Sequence, residues 1–130
     1  MLMVRARVAP SDLHGLGLFA AEFIPRGTIV WTFVAGFDHT FTQSQLLALP
    51  LHVRERVLFY CDGDFDPATG VHTLSGDDAR FTNHSNQPNT ANAPDGISTL
   101  AIRDIQSGEE ITWDYRSFGG TLGFLAGETR

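Results

Sequence analysis

Leu2, Val4, Ala6 and Val8 fall on alternate positions, the period-two pattern that predicts a half-buried strand over residues 2–8. "TIVWTFVA", residues 28–35, is rich in β-branched and aromatic side chains and predicts a buried strand. Thr42 and Gln45 form a capping-box signature ahead of Leu46 and Leu47, so a short helix starts there and Pro50 interrupts it. Val53, Val57 and Leu58 suggest another helical turn or two. "CDGDFDPATG" is turn chemistry, "VHTL" a short strand, "ISTLAIRDI" a longer β-prone run, "QSGEE" a turn and "ITW" a last strand ending at "DY". Many short strands, few helices and 13 glycines predict a mostly β (α+β) domain with short helices and loop-rich, mixed topology.

At 130 residues, with 42% apolar and 18% charged positions, the chain has the composition of one folded domain spanning residues 1–130. A net charge of -6 disfavours direct, sequence-independent binding to nucleic acid and suits a basic protein partner. "MLMVRARVAP" offers no continuous apolar h-region and no stretch reaches membrane-span length, so no membrane association is expected. A cytoplasmic location is the default, with export to a host cell by an unseen route also open.

Cys61 stands alone, and the five histidines show no ligand spacing, so neither a disulfide framework nor a metal site is expected. "DGDFDPATG" spaces Asp62, Asp64 and Asp66 like the start of a calcium loop, but Pro67 stands where glycine is required and Thr73 where glutamate is. It reads either as a solvated loop or as a negative rim that receives a basic peptide. Gly15-Leu16-Gly17 is a plain turn on its own terms, since Ala20 breaks the longer phosphate-binding fingerprint.

Two further blocks carry more chemistry. "RFTNHSNQPN", residues 80–89, crowds amides, two hydroxyls and an imidazole around one large apolar residue, and alone it reads as a polar loop. "GEEITWDY", residues 108–115, alone reads as a turn followed by core residues. In this order, behind Gly15-Leu16-Gly17, the blocks resemble the SET-domain family of protein lysine methyltransferases. That family's pattern runs Gly-x-Gly, then Arg-Phe-x-Asn-His-Ser-Cys-x-Pro-Asn, then Gly-Glu-Glu-Leu-Thr-x-Asp-Tyr. The match covers about residues 3–118 and leaves 119–130 as a short tail.

The resemblance implies a β-clip-like SET fold with knot-like C-terminal threading, and an enzyme that moves a methyl group from S-adenosylmethionine to a lysine of a basic protein. It implies Tyr115 as the catalytic tyrosine and Gly15, Leu16, Gly17, Asn83 and His84 as cofactor-binding, with Arg80 and Phe81 bordering that pocket. Trp113 occupies the position two before the catalytic tyrosine, and Tyr60, Phe118 and Phe124 are further candidates for the lysine channel. Asn86 replaces the family's cysteine, a packing change, and the tyrosine expected around "VWTFVAG" is absent, with Phe33 and Val34 nearby. The apolar tail is expected to fold over the channel or pair two subunits. The alternative is a SET-like module that binds cofactor or a protein partner without turnover; a β-rich structural protein without cofactor is a third reading.

Overall fold

The computed structural model describes residues 1–61 and 64–118. Its strands are β1 (Ala6–Pro10), β2 (Leu16–Ala20), β3 (Ile29–Thr32), β4 (His39–Thr42), β5 (Phe65–Asp66) and β6 (Val71–Leu74). The remaining strands are β7 (Asn83–His84), β8 (Thr90–Asn92), β9 (Ser98–Ala101) and β10 (Glu110–Trp113). They form three small sheets, ordered β1-β2-β10-β7, β3-β9-β8 and β4-β6-β5. With helices α1 (Gln43–Leu47) and α2 (Leu51–Cys61), this is the mostly β architecture expected from the chain's periodicity.

The first sheet carries the site. β1 and β2 make an antiparallel hairpin in register from Ala6 opposite Ala20 to Pro10 opposite Leu16. β10 joins the far side of β2 antiparallel, and β7 runs parallel beside β10, with Asn83 opposite Thr112 and His84 opposite Trp113. The late strand β10 therefore lies between two earlier ones. Leu18, Ala20, Ile24, Val30, Ala101, Ile105 and Ile111 form the buried core where the first two sheets meet, with Leu2, Val4 and Ala6 packed against it.

The N-terminal alternation does direct residues 2, 4 and 6 inward, but the β1 ladder begins only at Ala6. Residues 2 and 3 pair elsewhere: Leu2 bridges Trp31, and the Met3 N–H donates to the Val30 carbonyl at 2.8 Å. The run 28–35 is strand only over Ile29–Thr32, because the chain turns at Val34, whose carbonyl accepts the Phe37 and Asp38 N–H groups. "ISTLAIRDI" is likewise strand only over Ser98–Ala101, beyond which Ile105 makes an isolated bridge with Ile24.

The capping box at α1 is present: the Gln45 N–H donates to Thr42 Oγ1 at 3.2 Å, and the Thr42 N–H to Gln45 Oε1 at 2.9 Å. Pro50 does not leave only a turn or two behind it; it opens an eleven-residue helix, its carbonyl accepting the Val53 and Arg54 N–H groups. A proline lacks the N–H that a helix start leaves unused, so it is tolerated there. β4, unannounced by its polar sequence, pairs with β6. No helix among the described residues is long and apolar enough to cross a membrane.

The polar block 80–89 is part of this frame. Asn89 is 1% exposed, and its side chain substitutes for a strand: Oδ1 accepts the Thr112 N–H at 2.9 Å while Nδ2 donates to the Glu110 carbonyl at 2.7 Å. Thr90 Oγ1 adds a bond to the Thr112 carbonyl at 2.7 Å. Removing one partner of such buried pairs strands backbone groups without water, which costs about 1–3 kcal/mol per group. Asn89→Ala is expected to lower the unfolding free energy by about 2–4 kcal/mol in urea denaturation. Loss of the α1 cap in Thr42→Ala should cost only about 1 kcal/mol, and an Asn89→Ala effect no larger than that would contradict this assignment.

Candidate functional site

Asn83, 1% exposed, stands where the three sequence blocks meet. Its Nδ2 lies 2.9 Å from each of three acceptors: the His14 carbonyl, the Leu16 carbonyl and Glu110 Oε2. An amide NH₂ has two hydrogens, so three acceptors on that side leave no doubt which atom is nitrogen. The consequence falls on Oδ1, which is buried with no hydrogen-bond partner among the described residues. Such an acceptor is costly unless a donor reaches it.

Glu110 holds the other end of this cluster. Its Oε1 accepts the Ser11 hydroxyl at 2.6 Å, and the same Ser11 oxygen accepts the Leu13 and His14 N–H groups, ordering the loop before β2. Gly15 adopts a positive φ of 44°, which glycine tolerates without strain. Gly17 has a different reason: a Cβ there would sit 2.5 Å from Glu110 Oε2. Its missing side chain makes room for the carboxylate that fastens Asn83. Leu16 is 40% exposed and contributes backbone rather than packing.

His84 and Tyr115 are joined across the β7–β10 ladder. The Tyr115 N–H donates to His84 Nδ1 at 3.1 Å, so the ring's proton is on Nε2, which donates to Asn86 Oδ1 at 2.9 Å. Asn86, expected as a packing change, is exposed and works as a hydrogen-bond acceptor that sets this tautomer; it also accepts Arg116 Nη2 at 3.1 Å. Since Nδ1 is an acceptor, its 3.5 Å approach to Asp114 Oδ1 is not an ion pair. The Arg116 guanidinium, bonded to both Asp114 oxygens, holds the Asp114 carboxyl below the usual aspartate range. Tyr115 is 2% exposed, its ring edge-on to His84, and its hydroxyl donates to the Thr82 carbonyl at 2.5 Å.

Beside this cluster lies a cavity of about 320 Å³, its wall including Trp31, Phe33, Tyr60, Arg80, Trp113 and Tyr115. Arg80 donates to the Ser75 carbonyl at 2.9 Å and stacks its guanidinium over the Tyr60 ring at 5.4 Å. Phe81 meets the same ring edge-on at 5.7 Å. Asp64 and Asp66 also line the cavity, Asp66 through β5, so this acidic stretch is not simply a solvated loop. Asp62 and Phe124 lie outside the described residues, as does the Phe118 side chain. Among the described residues, no three His, Cys, Asp or Glu side chains gather to hold a metal ion.

The structure thus brings together Gly15, Leu16, Gly17, Asn83, His84 and Tyr115, and places Arg80, Tyr60 and Trp113 with Tyr115 on one cavity. Sequence reasoning missed Glu110, Ser11 and Thr82, which orient that cluster. For Glu110 the signal was its place in the "GEEITWDY" block, directly before the core residue Ile111. Trp31, whose buried Nε1 has no hydrogen-bond partner among the described residues, was read only as a strand residue.

A SET-domain sequence profile matches residues 15–116. The H3 lysine-4 specific histone-lysine N-methyltransferase of Schizosaccharomyces pombe is 33% identical over 117 residues, covering 82% of this chain and 12% of that protein. The histone-lysine N-methyltransferase set1 of Dictyostelium discoideum is 31% identical over 121 residues, covering 86% of this chain and 8% of that protein. The chain therefore spans a small part of either curated relative. The crystal structure of a Plasmodium falciparum protein, described as a candidate histone methyltransferase, superposes with a TM-score of 0.57 at 19% identity. It covers 88% of this chain and 95% of that one, a likeness of fold.

The Asp114–Arg116 pairing predicts a pH effect. A carboxyl held below its ordinary value of 3.8 stabilises the fold above that pH, and this contribution is lost as pH falls through the lowered value. Urea unfolding measured between about pH 5 and pH 2 should therefore show a steeper loss of stability in the wild type than in Asp114→Asn. Parallel curves would remove the pairing as a stabilising contact.

Proposed function

This chain belongs to the SET-domain family, and we propose that it is an S-adenosylmethionine-dependent protein lysine methyltransferase whose reaction centre is the cavity at Tyr115. The observation that carries this reading is the junction of Tyr115 with His84 and Thr82, one residue either side of Asn83. The residues present suit the cofactor. Asn83 Oδ1 is a buried acceptor without a donor among the described residues, and the cofactor's methionyl ammonium is a donor of the right charge. Gly15, Leu16 and Gly17 would offer backbone to that end, with His84 near the adenine.

Bound, the cofactor supplies a methyl group on a positively charged sulfur. The chain's residues must deliver a neutral amine to it. Deprotonating a lysine of reference pKa near 10.4 costs roughly 4 kcal/mol at pH 7.5. Cavity walls of Trp31, Phe33, Tyr60 and Trp113 withhold water from the ammonium and so favour the amine, against the opposite pull of the Asp64 and Asp66 carboxylates in the same lining. Tyr115, its proton committed to the Thr82 carbonyl, accepts an amine N–H and so turns the nitrogen lone pair in one direction. Alignment and exclusion of water are the protein's main contribution.

Arg80 and Phe81, expected beside the cofactor, pack on Tyr60, and we assign them to the lysine side of the cavity. A basic protein substrate fits the net charge of -6 and the two aspartates in the cavity wall. One observation favours the non-catalytic alternative: Phe33, in the segment that should carry a channel tyrosine, lines the cavity without a hydroxyl.

Thermal unfolding with S-adenosylmethionine at 100 times its dissociation constant should reveal about 2.7 kcal/mol of added stability; no shift would overturn the cofactor reading. Transfer of a labelled methyl group to a lysine-rich basic protein follows, and Tyr115→Phe should slow it by about a hundredfold. Equal rates would take Tyr115 out of the reaction, while a thermal shift without any transfer by the wild type would favour the binding module.

A further inference from the structure

Glu110 is left over by the proposed reaction: it does not line the cavity, yet its two carboxylate oxygens fasten two different segments of the site. We infer that Glu110 is a positioning residue that fixes the Asn83 amide and thereby sets the chain's affinity for a ligand bearing an ammonium group. This rests on the cofactor reading given above.

The Asn83 side chain can rotate its amide by half a turn, exchanging oxygen and nitrogen at little steric cost. What forbids the exchange is the ring of acceptors around Nδ2. The His14 and Leu16 carbonyls are neutral, whereas Glu110 Oε2 at the same 2.9 Å carries charge, and hydrogen bonds to charged acceptors are about twice as strong. The carboxylate is itself immobilised, by the Ser11 hydroxyl on Oε1 and by the close backbone of Gly17. With nitrogen pinned on that side, Oδ1 is presented as a buried acceptor with no partner among the described residues. A cationic donor satisfies it; an apolar end of a ligand does not. Glu110 thus acts on the ligand's ammonium through the orientation of a second side chain.

S-adenosylhomocysteine retains the α-ammonium and 5′-methylthioadenosine lacks it, so the ratio of their dissociation constants isolates this end of the site. Calorimetric titration of the full chain should show the wild type preferring S-adenosylhomocysteine. Glu110→Ala should shrink that preference by roughly ten- to a hundredfold. Glu110→Gln, which still accepts from the amide, should keep it within about threefold. If Glu110→Ala is not recovered folded, Glu110→Asp, which withdraws the carboxylate by one methylene, should shrink the preference in the same direction. An unchanged ratio in folded Glu110→Ala or Glu110→Asp overturns the inference, as does a Gln variant that loses as much as Ala. If the wild type binds neither compound, the cofactor reading itself fails and this inference goes with it.

Discussion

One buried amide, that of Asn83, ties together three stretches of chain that are far apart in sequence. Its nitrogen reaches the loop before β2 and the first residue of β10, while its backbone sits on the ladder with Thr112. An amide in water would gain nothing by choosing these partners. Inside a fold it must choose, because burying polar atoms without partners is costly. That requirement explains the density of amides over residues 80–89: Asn83 clasps the loop ahead of β2, and Asn89 completes the hydrogen bonds of β10 where no strand is available.

From that clasp the rest follows in layers. β10 is held between β2 and β7, its Ile111 entering the core and its Trp113 and the following Tyr115 reaching the cavity. His84 takes its tautomer from Asn86 and receives the Tyr115 N–H, so the tyrosine's place is fixed from its backbone as well as its hydroxyl. Precision at the cavity is thus inherited from a polar network that runs from the buried Asn83 and Asn89 amides to the exposed Asn86, and such networks are rigid when satisfied. The Asn83 Oδ1, without a hydrogen-bond partner among the described residues, points to where a ligand belongs.

Elements governed by local chemistry were legible in the sequence. The Thr42–Gln45 box depends on near neighbours, the "VHTL" and "ITW" strands show in their own β-prone side chains, and each is found where its residues placed it. Elements decided by distant partners were not. Residues 2–4 have strand periodicity but pair with β3, β4 is a strand because β6 lies beside it, and Pro50 begins a helix whose continuation its neighbours settle. At the site, Asn83, His84 and Tyr115 were legible as a motif, whereas Glu110 looked like any carboxylate at a turn. Gly17 reads as part of a plain turn and, by resemblance, as cofactor-binding, whereas the space its missing Cβ leaves is taken by the Glu110 side chain.

The central claim is that the amide-rich segment and the tyrosine after β10 enclose one ligand site. The most direct measurement is a titration of ¹⁵N-labelled protein with S-adenosylhomocysteine, followed by amide chemical shifts. Shifts concentrated at Leu16, Gly17, Asn83, His84 and Tyr115 are predicted. Binding that leaves these amides unmoved while shifting others would contradict it.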